Sequence, residues 1–104
     1  MKVTGRCHCG QIRYEAKVDL AKVGICNCAD CQMLTGSVFR VSVPAAAETY
    51  RLLSGKPKDK PPTYSLRAGC LEQRAQLPPR RQIWCKSAVP WAKDAAGVPG
   101  IPGQ

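Results

Sequence analysis

Three cysteines within six residues, Cys26-Asn27-Cys28-Ala29-Asp30-Cys31, constrain this chain more than any other feature. Sulfurs so close in sequence are poorly placed to bond to each other. A disulfide asks for Cα atoms about 5.5 Å apart with converging side chains. A tight loop can instead aim two or three thiolates at one metal ion about 2.3 Å away. A shorter knot, Cys7-His8-Cys9, repeats the theme near the start, and Cys70 and Cys85 stand apart from both. The spacing predicts metal ligation by Cys26, Cys28 and Cys31, against the alternative of buried or redox-active thiols.

A structural zinc site is closed by four protein ligands, whereas a catalytic one keeps a position open. No fourth cysteine lies near the C-x-C-x-x-C trio, and His8 is the chain's only histidine. Three ligands plus an open position is therefore the simplest reading. A soft, open Zn²⁺ favours a thiolate as incoming ligand and lowers the pKa of the thiol it receives. Cys7 and Cys9 need two further sulfurs, and Cys70 and Cys85 are the candidates left. Adjacent side chains alternate along an extended segment, so His8 is expected to be a surface or supporting residue rather than a ligand.

The size of the chain makes a metal useful. A chain of 104 residues is one domain, and one of this size buries roughly 60–65% of its unfolded surface. Small cores need staples. No apolar run of about 18 residues predicts a membrane span, and the first residues carry no apolar stretch of the secretory kind. The expected address is the reducing cytosol, where close cysteines hold metal. Sixteen Lys and Arg against seven Asp and Glu give a formal charge of +9. The positive residues are scattered, with short runs only at Lys56, Lys58 and Lys60 and at Arg80-Arg81, and no aromatic interleaving. A solvated face is expected there, and a nucleic-acid partner is disfavoured.

Periodicity predicts strands. Residues 11–18 alternate Ile12, Tyr14, Ala16 and Val18 against polar neighbours, and residues 37–43 alternate again up to Pro44. Residues 23–26, 49–53 and 63–67 read as further short strands, and 30–34 as a helical turn stopped by Gly36. Residues 56–62 read as a charged, proline-rich loop. The fold class expected is all-β: a zinc-binding β domain over residues 1–67, then an atypical tail over 68–104, partly disordered. Pro78-Pro79-Arg80-Arg81 is expected to prevent regular structure in that tail.

Gly5-Arg6-Cys7-His8-Cys9-Gly10, followed by the strand from Gln11, resembles the opening signature of the glutathione-dependent formaldehyde-activating enzyme family, whose domain also occurs in centromere protein V. Cys26-Asn27-Cys28-Ala29-Asp30-Cys31 with Thr35-Gly36-Ser37 resembles its second signature, and Tyr50-Arg51-Leu52-Leu53-Ser54-Gly55 the strand and turn that follow. The resemblance covers about residues 4–67. It implies an Mss4-like β-tent with two zinc ions. Cys26, Cys28 and Cys31 would be the catalytic-type site. Cys7 and Cys9 would be half of a structural site completed by a later C-x-x-C-G pair. It also implies carbon–sulfur chemistry, in which glutathione as co-substrate adds to formaldehyde. After Leu66 the expected C-x-x-C-G is missing, and Cys70 and Cys85 do not supply it. A reading frame shifted at this point would leave such a basic, proline-rich stretch, which the other two frames of the gene would reveal.

Three functions compete. The first is a lyase-type enzyme joining a small-molecule thiol to an aldehyde, with Arg40, Arg13 or a lysine of residues 56–60 holding carboxylates of the thiol. The second is a zinc-stabilised binding module without catalysis. The third is a thiol redox protein built on Cys28 and Cys31, disfavoured because no βαβ context surrounds them.

Overall fold

In the computed structural model, which describes residues 1–56 and 60–104, the chain folds into two sheets with a shared core. Residues 57–59 of the expected proline-rich loop lie outside the described residues. One sheet is antiparallel and three-stranded, with β2 (Arg13–Lys17) between β1 (Lys2–Arg6) and β5 (Arg51–Ser54). The other runs β6 (Thr63–Arg67), β4 (Arg40–Ala46), β3 (Gly24–Cys26), β7 (Arg81–Ile83). In it β3 pairs antiparallel with β4 and parallel with β7. A short helix, α1 (Ala29–Thr35), follows β3. The molecule is sheet-dominated, as expected.

Alternation decides which face of each strand is buried. In β2, Tyr14 and Ala16 face inward while Arg13 and Lys17 face solvent. Glu15, on the outer face, lies 3.2 Å from Lys2 and 3.6 Å from Arg51 across its two neighbours. In β4 the inward residues are Val43 and Ala45, and in β6 Leu66. These meet Val3 of β1 and Val18, Val23, Leu71 and Leu77 from the connections to form the core. Stacked rings of Tyr14, Tyr50 and Tyr64, with centroids 5.3 Å and 3.8 Å apart, link the two sheets at their edge.

Residues 63–67 form the strand expected, and Gly36 ends α1 in the left-handed region at φ +67°, its amide donating to the Gln32 carbonyl. Two expectations are corrected, and one strand is added that periodicity did not indicate. Pro44 does not end its strand: β4 continues to Ala46, pairing Pro44 with Ser65. The β3 partner reaches only to Ser42, so Pro44 sits where β4 has one neighbour and a missing N–H is tolerated. Residues 2–6, which carry no clear alternation, form a strand. The inward position at Gly5 admits no side chain, because a Cβ there would clash with the phenol end of Tyr14. Arg80 and Arg81 do not prevent regular structure. The Arg80 amide donates to the Val23 carbonyl at 2.7 Å, and Arg81–Ile83 pairs with β3.

The residues after Arg67 are mostly tight 3₁₀ turns, yet they enter the core. Glu72 donates its amide to the Thr4 carbonyl, and Gly5 bridges Leu71. Leu71 is fully buried, and Leu77 is nearly so. Truncating a buried leucine costs the transfer term plus the cavity. Leu71→Ala and Leu77→Ala are therefore each expected to lower the unfolding free energy by about 2–4 kcal/mol, read as a lower midpoint at unchanged slope in urea denaturation.

Candidate metal centre

Cys26 ends β3, held between Arg40 of β4 and Ile83 of β7. Past it the chain turns into α1. Cys28 caps that helix in an extended conformation, φ −65° and ψ 156°, and its Sγ accepts a hydrogen bond from the Cys31 amide at 3.3 Å. The cap replaces one of the unpaired N–H partners of a helix start, and the first helical turn carries Cys31 back towards Cys26. The three sulfurs all lie within 4.8 Å of one another. Three ligands of a tetrahedral zinc at about 2.3 Å stand about 3.8 Å apart, so shifts of an ångström or less close the shell. Cys26 and Cys31 are buried and Cys28 half-buried, which leaves Cys28's side as the way in.

The sulfurs differ in proton affinity. The Cys31 amide, then the Cys31 thiol, holds Cys28 below the usual thiol range. Burial, then the Cys28 and Cys26 sulfurs, pushes Cys31 up to about 12, against the pull of Arg40's positive charge. Ligation needs all three as thiolates, so metal uptake releases protons.

The loop that carries these thiols is clamped by the segment after Arg67. Asn27 is 1% exposed, the one buried polar side chain among the described residues. Its amide nitrogen donates to the Ile83 carbonyl at 3.2 Å and to Gln82 Oε1 at 3.4 Å, and its backbone N–H donates to the same Ile83 carbonyl. Gln32 Nε2 donates to the carbonyls of Asn27 and Ser87. Sequence reasoning missed both residues. A polar side chain between two closely spaced cysteines was the available signal.

Two cavities flank the knot. One, of 440 Å³, is lined by residues that include Ile25, Asn27, Phe39, Val89 and Lys93. The other, of 190 Å³, is lined by residues that include Lys22, Cys26, Arg40 and Arg81.

Cys7 and Cys9 lie on the exposed loop between β1 and β2, their sulfurs 3.4 Å apart. Gly10, at φ +80°, completes that turn, its amide donating to the Cys7 carbonyl. The Gln11 amide and the Cys7 sulfur lower the pKa of Cys9. The two late cysteines go to different places. Cys70 lines a cavity with Cys7 and His8, whereas Cys85 lines the larger cavity beside Asn27. Among the described residues, the only three-ligand cluster is the one at Cys26, Cys28 and Cys31. Of the cationic candidates, Arg40 is at the knot, while Arg13 is exposed on β2 of the other sheet.

A sequence model described as glutathione-dependent formaldehyde-activating enzyme matches residues 2–61. The match spans both cysteine knots. No curated protein matches the chain.

Removing the Asn27 side-chain amide deletes its bonds to the Ile83 carbonyl and Gln82 Oε1, while the backbone N–H still serves that carbonyl, a loss worth about 0.5–1.5 kcal/mol. Asn27→Ala is expected to lower stability by that amount and to raise hydrogen exchange at Cys26 and Asn27 amides before those of β6. Within the metal-free cluster, iodoacetamide should modify Cys28 ahead of Cys26 and Cys31, read by peptide mass spectrometry.

Proposed function

The chain belongs to the glutathione-dependent formaldehyde-activating enzyme family, and on that premise we propose a zinc-dependent carbon–sulfur lyase-type enzyme, one that adds a glutathione-type thiol to an aldehyde or releases it. The observation that carries the reading is the convergence of three cysteine sulfurs within 4.8 Å beside two cavities. The donor set fits zinc: soft thiolates, short spacing and a clamped loop. Cys26, Cys28 and Cys31 would hold the ion, which when bound supplies a soft position for a thiolate and lowers the thiol's pKa.

The chain's own residues supply the rest. Asn27 and Gln32 keep the loop from sagging through their bonds to Ile83 and Ser87. Ile25, Phe39 and Val89 give the larger cavity an apolar wall suited to the body of a ligand. Holding thiol and aldehyde side by side turns a bimolecular addition into a local one. In that addition the sulfur–carbon bond forms, the carbonyl π pair moves to oxygen, and the thiol proton ends on that oxygen. No electrons are exchanged with an outside partner.

Cys7 and Cys9 are proposed as half of a second zinc site, with Cys70 the nearer of the late cysteines. The two-sheet arrangement is read as the Mss4-like tent that the family resemblance implies. No described helix is long and apolar enough to cross a membrane. A reducing compartment, the cytosol, is the setting in which such thiols remain free for metal.

The test is zinc content and turnover together. Cys28→Ser should hold one zinc fewer than the parent chain by native mass spectrometry. It should also lose at least about 100-fold in adduct formation between glutathione and formaldehyde, followed by NMR, because removing one ligand of a metal site disables it. A parent chain that holds zinc at this trio but forms no adduct with any aldehyde would be a binding module, and the enzyme reading would fall.

A further inference from the structure

Arg40 is the charged residue set most directly against the cysteine trio. It faces Cys26 across the β3–β4 ladder, as Ser42 faces Gly24. Residues directly opposite on an antiparallel pair project to the same face, with Cβ atoms about 4.5–5.5 Å apart. Arg40 and Cys26 line one cavity, and α1, which carries Cys31, packs on β4. Lys22 and Arg81 reach that cavity too, but both are exposed, and water and salt screen such charges. Arg40 is half-buried and its Nε fully so.

That Nε has no hydrogen-bond partner, the one buried side-chain nitrogen or oxygen among the described residues of which this is true. No carboxylate serves it, since the ion pairs among the described residues are Lys2–Glu15 and Arg51–Glu15. A buried N–H left unpaired costs free energy. The acceptors that the register sets beside Arg40 are sulfurs. A neutral thiol accepts weakly. A metal-bound thiolate is an anion, and a guanidinium N–H donating to it makes a charge-assisted bond.

The charge count points the same way. Three thiolates around a divalent ion leave one net negative charge, and a thiolate entering the fourth position doubles it. Away from water such a build-up of like charge is costly. One guanidinium beside the trio cancels the first charge and halves the second. A neutral ligand in the fourth position gains nothing comparable.

We propose that Arg40 is a positioning residue of the metal centre, whose Nε–H donates to a thiolate of the trio and whose charge makes an anionic ligand acceptable in the fourth position. The preference for a thiolate over a neutral nitrogen donor then comes from the chain as well as from the softness of the ion. This role differs from the carboxylate clamp that the sequence suggested for Arg40, because the nitrogen concerned is buried beside the ligands. The inference rests on the proposed zinc at Cys26, Cys28 and Cys31 and not on the aldehyde step.

The experiment uses the full chain loaded with cadmium for NMR and with cobalt(II) for absorption, two ions that take thiolate ligands and report on them. With an NMR-active cadmium isotope, the Arg40 Nε–H resonance of the parent should show scalar coupling to the metal nucleus, carried through the accepting sulfur. In the cobalt-loaded chain, titrations with mercaptoethanol and with imidazole are followed by the sulfur-to-metal charge-transfer and ligand-field bands. Arg40→Met has a similar length but neither charge nor donor. It should bind mercaptoethanol about tenfold or more weakly, the scale of losing a partner of a metal ligand, and imidazole as the parent does. Arg40→Lys keeps the charge and should recover most of the thiol affinity. No coupling in the parent, an equal loss for both ligands in Arg40→Met, or a thiol affinity that Arg40→Met leaves unchanged would overturn the proposal. If Arg40→Met fails to fold, the parent's coupling and Arg40→Lys still decide, and a loss of about tenfold in thiol affinity in Arg40→Lys overturns the charge role. A parent that shows the coupling and the thiol preference while glutathione and formaldehyde form no adduct leaves the role of Arg40 standing and the enzyme reading fallen. Adduct formation by a parent without the coupling gives the reverse.

Discussion

Everything at the candidate centre depends on keeping three thiols aimed at one point from a six-residue loop. Such a loop has little apolar surface of its own, so local packing cannot hold it. The hydrogen bonds of Asn27 hold it instead. A buried amide must find partners or cost free energy, and Asn27 finds them on Ile83 and Gln82 of β7. Because the Asn27 backbone N–H uses the same Ile83 carbonyl, β7 is joined to both the side chain and the main chain of the loop. The helix that follows contributes at its first residue, where the Cys28 sulfur caps the Cys31 amide. The capping atom is also one of the three clustered sulfurs, so the start of the helix and the shape of the cluster are set together.

The core behind this loop is thin, and it draws on distant parts of the chain. Val3 comes from the first strand, Val43 and Leu66 from the central pair, Leu71 and Leu77 from the turns beyond Arg67. In a small domain no single element can cover a sheet face, so short irregular segments supply single large side chains where a longer protein would supply a helix. The tyrosine stack serves the same purpose at the edge, joining β2, the turn before β5, and β6 through ring contacts. The charge distribution follows from the same economy. Positive residues on three neighbouring strands or turns meet beside Cys26 because those strands share one sheet.

Local features of the fold were legible in the sequence. The period-2 pattern of Ile12, Tyr14, Ala16 and Val18 identifies a face that is buried at Tyr14, Ala16 and Val18 because side chains alternate along any strand, while Ile12 lies exposed ahead of β2. Gly36 marks the end of α1 because the left-handed cap disfavours a Cβ. The same reasoning failed at β1, where Gly5 interrupts the pattern to make room for a tyrosine that pairs with it only in three dimensions. It failed again at β7. Three residues after two prolines carry no periodicity, and their strand exists only through its parallel partner β3.

The sequence by itself determined the convergence of the cysteine trio, since a C-x-C-x-x-C spacing limits where three sulfurs can go whatever surrounds them. It also determined the buried face of the second strand and the stop of the helix, which depend on covalent geometry over a few residues. Tertiary structure alone decided the neighbours of the trio. It put Cys85 near Asn27 and Cys70 near Cys7, set Arg40 and Arg81 on either side of Cys26, and left Arg13 on the other sheet. The physical reason is range. Spacing fixes what a chain can do over one turn, whereas strand order and register, set by burial of the whole core, fix which distant side chains meet.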